Sequence, residues 1–292
     1  MRNHITDYAL LLLLAVIWSS SFLLIKIGVE TIPPFTLTAG RLCIATIIFW
    51  VYLGIRRQGI PLHARALLLY FGAGIMGSSL PFVLISSGET EISSSLTAIL
   101  MGIMPISTFV LAHIFISSEP MTPRKTLGVS LGFAGLIVLV GYSALTALGD
   151  NLWAQLSVLG GAVCYSIATV FVRRQPSFEG YKMAAGMNTV AAAASLLMAF
   201  VVENPTAVAP ATNGLWALLA LGVFPTAIAS LIYFRVLRNL GATTFAQINY
   251  VIPVLGGLWG VLILGETLGW NVFVALSLVL CGIYLIQSKS AG

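Results

Sequence analysis

The chain has 292 residues, a formal net charge of +5 and a mean hydropathy of +1.01, with 59% hydrophobic and only 8% charged residues. A water-soluble domain carries roughly a quarter charged residues, so this composition excludes a soluble globular protein and places most of the chain in lipid. The positive excess is not a nucleic-acid footprint, because the basic residues fall in short gaps between apolar runs, where they set topology.

In chain order, ten apolar runs are predicted as membrane helices, at about 7–27, 35–54, 66–87, 92–116, 123–142, 152–172, 181–202, 214–234, 242–264 and 269–287, each near the length that covers a bilayer core. The first follows Arg2 and His4 and continues past Ser21 towards Ile27 without a small-residue cleavage site, so it reads as a retained helix. The gaps hold helix stops and turn formers: Pro33-Pro34, Arg56 to Gly59, Gly88-Glu89, Ser117 to Pro120, Gly149 to Asn151, Glu179-Gly180, Asn204-Pro205 and Gly241. Cys43, Cys164 and Cys281 all lie inside apolar runs and read as small fillers, without metal or disulfide spacing.

With the N-terminus in the cytoplasm, Arg2, Arg56, Arg57, Arg65, Arg124, Lys125, Arg173, Arg174, Lys182, Arg235, Arg238 and Lys289 all fall on that side, and only Lys26 and Arg41 on the other. The expected home is a bacterial inner membrane with both termini cytoplasmic. The chain also repeats itself. Pro105 and Pro253 are 148 positions apart, while Glu119 and Glu266, Gly135 and Gly282, and Trp18-Ser19 and Tyr165-Ser166 are each 147 apart. The expected architecture is an all-α membrane protein of two five-helix repeats, 1–147 and 148–292. An odd number of helices per copy inverts the second relative to the first and places a cavity where they meet.

Two literal motifs are decoys. Gly72 to Gly77 reads G-x-G-x-x-G and Gly128 to Gly132 reads G-x-S-x-G, but both lie inside helices, without the strand each motif needs. Small residues for close helix packing explain them, together with Gly256 and Gly260. No Walker A sequence is present, so no nucleotide cofactor is expected, and no ATPase subunit is evident.

Among intramembrane polar residues, Lys26 and Arg41 lie near the outer ends of spans 1 and 2, where each either snorkels to the headgroups or faces an outer vestibule, to attract a carboxylate or shape its mouth. Pro105 and Pro253 kink their helices and serve as hinges. His113 reads as a neutral, hydrogen-bonded side chain. Glu119 and Glu266 precede spans 5 and 10 and are expected to stabilise helix N-termini. No carboxylate is expected deep within a span, which argues against tight ion coupling. Thr243, Thr244, Gln247 and Asn249 lie on one helix and Ser93, Ser94, Ser95 and Thr97 on its counterpart in the other repeat, either as ligands or as partners of their own helix; Asn249 and Tyr250, beside Pro253, are the better ligand candidates.

The order and duplication of Trp18-Ser19-Ser20-Ser21-Phe22 with Lys26, Pro34, Arg41, Ala98 to Pro105, Glu119, Thr122, Lys125, Gly128, Pro253 and Leu264-Gly265-Glu266 resemble the EamA type of the drug/metabolite transporter superfamily over essentially the whole chain. The resemblance implies a pathway of monomer scale lined by spans 1, 3, 4, 6, 8 and 9, with 5 and 10 peripheral. It also implies movement of small metabolites, with a similarity to YddG-like exporters of aromatic and other neutral amino acids. The chain therefore reads as a secondary transporter and not an enzyme. Its partners are the lipid bilayer and a small-molecule substrate bound by Trp18, Ser21, Ser78, Met101, Tyr165, Thr226, Asn249 and Tyr250. A broad drug efflux protein and, further off, an intramembrane enzyme are the alternatives. A buried acid for cationic drugs would distinguish the first, and a paired acid/base or metal set the second.

Overall fold

The computed structural model describes residues 4–146, 150–175, 179–255 and 270–287. Among these there is no strand, and the elements are α1 (His4–Val29), α2 (Pro34–Ile55), α3 (Ala64–Glu91), α4 (Ser94–Met101), α5 (Ile103–Phe115), α6 (Pro123–Thr146), α7 (Leu152–Arg174), α8 (Gly180–Val202), α9 (Thr212–Leu240), α10 (Ala242–Ala246), a further helical run at 248–255, and α11 (Trp270–Gln287). Seven helices are long and apolar enough to cross a membrane among the described residues, and Phe273–Ile286 is a shorter apolar stretch. All-helical spanning structure is what lipid dictates, because backbone groups there find partners only within the chain. Gly256, Gly260, Leu264 and Glu266, singled out above, lie outside the described residues.

The helix ends are set by particular side chains. Glu203 accepts from the Phe35 and Thr36 amides at 3.0 and 2.8 Å and so caps α2. Ser93 caps α4 through the Leu96 amide at 3.2 Å, and His63 accepts from Ala66 at the start of α3. Gly241 ends α9 at φ 86°, a conformation that disfavours any side chain. His113 Nδ1 accepts from the Met121 amide at 3.0 Å, as a neutral imidazole does.

Glu119 was expected to serve span 5, but its carboxylate turns instead to the second half of the chain. It accepts from the Ala242 and Thr243 amides, each at 2.8 Å, and so caps α10. Arg173 Nε lies 3.4 Å from the same carboxylate. Two donors at a helix N-terminus hold an anion better than the sequence-adjacent helix could. Glu119→Ala is expected to cost about 1–3 kcal/mol, the desolvation cost of orphaned buried amides, read as a lower melting temperature in detergent, with Glu119→Gln intermediate.

Two π turns interrupt the longest helices, at Ile75–Ser79 in α3 and Gly222–Ile228 in α9, and their first residues stand 147 positions apart. Helix pairing follows the same offset: α1 packs on α9 and α3 on α7, while α2 packs on α8 and α6 on α11. The glycine-rich stretches are packing surfaces. A Cβ at Gly74 would lie 2.7 Å from the Met187 carbonyl of α8, and one at Gly282 would lie 2.5 Å from the Gly128 carbonyl of α6. Trp153, Trp216 and Trp270 stand exposed near the starts of α7, α9 and α11, as interfacial aromatics do.

Candidate substrate cavity

Eight of the spans meet around one central cavity with an empty volume of about 970 Å³, its mouth included. Its wall comes from α1, α3, α4, α5, α7, α9 and the 242–255 segment, with Arg41 from α2 and Met187 from α8. The expected six lining spans are therefore joined by the second and seventh through one side chain each. No described residue of α6 or α11 lines it. The π turns explain part of this shape. They widen α3 at Ser78 and α9 at Pro225 and Thr226, and such bulges leave main-chain groups free of the regular ladder. The Trp18 indole donates to one of them, the Pro225 carbonyl, at 3.2 Å.

An aromatic wall closes one side. Trp18 meets Phe245 edge-on with centroids 6.0 Å apart, and Tyr233 meets Phe245 at 5.1 Å. Phe82 meets Tyr165 at 6.3 Å. Against it stands the one charged group among the described lining residues. Arg41 is 2% exposed. Its guanidinium carbon sits 3.9 Å over the Phe82 centroid, and Nε donates to the Thr226 hydroxyl at 3.1 Å. No hydrogen bond joins its terminal nitrogens to the described residues, so a planar two-pronged donor is left for a ligand.

Trp18, Ser21, Ser78, Met101, Tyr165, Thr226 and Asn249 all border this cavity. Asn249 Nδ2 also donates to Met104 Sδ at 3.0 Å and to the Ala246 carbonyl at 3.2 Å. Tyr250 does not border it. It is wholly buried between α6 and α11, beside Leu136 and Val279, and its hydroxyl donates to the Val129 carbonyl at 3.3 Å. A Cβ at Gly132 would strike its ring at 2.3 Å, so the absence of a side chain there makes the ring's seat. Consecutive helical residues point about 100° apart, and Asn249 takes the cavity face.

The two vestibule charges separate as well. Arg41 is deep in the wall. Lys26 caps α3 instead, its Nζ donating to the Glu89 and Ile92 carbonyls at 2.7 and 3.4 Å. Those carbonyls close a helix end and need donors. Arg173, 147 positions later, does the same for α9 through the Arg238 carbonyl at 2.8 Å. Pro105 lies in α5 just after Gly102, where the span breaks, and Pro253 lies within the 248–255 run. Ser93 and Gln247 bond within their own segments, and the Ser94 and Ser95 side chains lie outside the described residues.

The aromatic lining residues Phe82, Tyr233 and Phe245 were not singled out in the sequence, and neither was one acid. Glu89, placed by its sequence in a turn, is in α3 and has no solvent exposure. A carboxylate is thus buried within a span, contrary to expectation. Gly88-Glu89-Thr90-Glu91 reads as a loop, but the Lys26 cap carries the helix on to Glu91.

Residues 6–141 and 152–288 each match the sequence model of the family described as EamA-like transporter. The chain is 28% identical to the uncharacterized transporter YoaV of Bacillus subtilis (strain 168), over 92% of each chain. It is 27% identical to the uncharacterized inner membrane transporter YedA of Escherichia coli (strain K12), over 98% of this chain and 92% of that one. It is also 27% identical to the S-adenosylmethionine/S-adenosylhomocysteine transporter of Chlamydia trachomatis serovar L2, over 96% and 88%. A solved crystal structure, 21% identical, shares the fold with a TM-score of 0.77 over 97% of both chains. The amino-acid exporter expectation finds no support in these names.

Proposed function

We propose that this chain, which belongs to the EamA-like transporter family, carries small amphipathic carboxylates, above all solutes with an amino-acid head, through its central cavity by alternating access. The observation that carries the reading is Arg41, a buried guanidinium with an unused donor fork in a wall whose other described residues are uncharged and rich in aromatic rings. Such a fork recognises a carboxylate. Trp18, Tyr233 and Phe245 offer faces and edges to an aromatic or aliphatic group, and Asn249, Ser21 and Ser78 orient polar atoms. Neutral amino acids fit this pattern. So does S-adenosylhomocysteine, which joins an amino-acid head to a purine and is carried by a relative. A cationic drug is disfavoured, because Arg41 would repel it.

In this reading the halves 1–147 and 148–292 are inverted and rock about the cavity in an inner membrane, with both termini cytoplasmic. Gly102 with Pro105, and the segment around Pro253, absorb the bending. The test is flux of radiolabelled L-phenylalanine, L-methionine and S-adenosylhomocysteine in proteoliposomes. Trp18→Ala, Tyr165→Ala and Asn249→Ala are each expected to lower uptake of at least one of them about tenfold, a loss of ~1.4 kcal/mol. Wild-type flux retained by all three would remove this site.

A further inference from the structure

Glu89 lies one helical turn beyond Ile85, the last residue of α3 to line the cavity. Positions four apart share a helix face, so the carboxylate continues the cavity wall into the protein. It has no solvent exposure, and neither oxygen makes a hydrogen bond of regular geometry with the described residues. The elements around it supply little. From α4 the Thr97 hydroxyl faces it and is a donor within reach. Where α7 presses on Gly88 it presents Val158 and the Ala154 carbonyl, neither a donor. The charged groups facing it are Lys26 from α1 and Arg41 from α2. Neither hydrogen-bonds the carboxylate: Lys26 Nζ donates to the main-chain carbonyls of Glu89 and Ile92, and Arg41 donates through Nε to Thr226, acting on Glu89 through its charge alone.

An ionised carboxylate in such a place costs several kcal/mol, more than the neutral acid, which is a polar group but not a charge. We infer that Glu89 is a proton-binding site and that it couples proton movement to solute movement, resting on the transport reading above. The carboxylate takes a proton from water on one side to become the neutral acid, and returns it to water on the other side after the cavity has reopened. Arg41 is the link. When a solute carboxylate occupies its fork, that positive charge is neutralised and Glu89 loses a stabilising cation, so solute and proton bind together. Such linkage is reciprocal, and a pair that binds together is carried together. The position 147 residues later is Val236, so the second half carries no matching acid.

The test has two arms on the full chain reconstituted in liposomes. Infrared difference spectra between acid and alkaline pH read the carbonyl stretch of a protonated carboxylic acid, without any solute. An inward proton gradient, or in parallel a sodium gradient, is then applied with L-phenylalanine and S-adenosylhomocysteine as probes. Wild type is expected to show the acid band and to concentrate a probe severalfold under the proton gradient alone. Glu89→Gln, which mimics the neutral form, is expected to lose both the band and the concentrative uptake while still exchanging labelled for unlabelled solute. Glu91→Gln, at an exposed position, should keep all of these. A band or a gradient response that persists in Glu89→Gln overturns the inference, and so does accumulation driven by sodium. If neither probe moves, the transport reading fails, and the infrared arm still decides whether Glu89 binds a proton.

Discussion

Arg41→Gln is expected to reduce uptake of amino-acid-headed solutes by about thirtyfold or more while the protein remains folded. Losing one partner of a buried, hydrogen-bonded charge pair costs about 2–5 kcal/mol, and the lower end of that range already gives a loss of some thirtyfold. Glutamine reaches towards Thr226 and leaves the Phe82 ring in place, so the wall loses a charge and not its packing. Burying a cation with a single hydrogen bond is itself costly, so the variant should melt no lower than wild type. Arg41→Lys keeps the charge but not the fork, and a compact ammonium cannot hold a carboxylate two-pronged. Its expected signature is a raised KM with maximal flux largely kept. Flux and thermal melting measured together check all of this. Wild-type KM in Arg41→Gln would show that the solute does not use this group.

The second large effect concerns a place far from the cavity. Gly282 of α11 sits against α6 so closely that a Cβ would lie 2.5 Å from the Gly128 carbonyl and 3.1 Å from the Gly132 amide. Those are backbone atoms and cannot rotate away. Small residues let helices approach in lipid, where no hydrophobic force drives them together. Gly282→Val should therefore pry α11 from α6 and loosen the seat of Tyr250. Overpacking costs about 1–3 kcal/mol or more. The expected result is a clearly lower melting temperature and poor yield, but an unchanged KM in the protein that survives, because no described residue of either helix lines the cavity. A changed KM with normal melting would place α11 in the pathway.

Much of this molecule is legible in its residues. Long apolar runs bounded by Pro33-Pro34, Asn151 or Gly241 become helices because lipid leaves the backbone no other partner. The offset of 147 that links Trp18 to Tyr165 reappears in the two π turns and in the paired caps Lys26 and Arg173. What escapes the sequence depends on rotation about a helix and on contacts between distant segments. Asn249 and Tyr250 are adjacent in sequence, yet one borders the cavity and the other fills a gap left by Gly132. Arg41 looks like a charge near a membrane face until Thr226 and Phe82 draw it inward. Glu119 looks like a cap for the helix that follows it, but two amides at the start of α10 are better placed. Glu89 looks like part of a turn because nothing local reveals that Lys26 extends the helix past it.

The account rests on one cavity that opens to each side of the membrane in turn. Ser21 lines it and can report on both openings. In a background with Cys43, Cys164 and Cys281 replaced by Ser, Ser21→Cys in oriented vesicles is treated with a membrane-impermeant thiol reagent from one side or the other. The account predicts labelling from both sides, slowed in each case by saturating L-phenylalanine or S-adenosylhomocysteine. Labelling from one side only, or labelling that no solute slows, would contradict it.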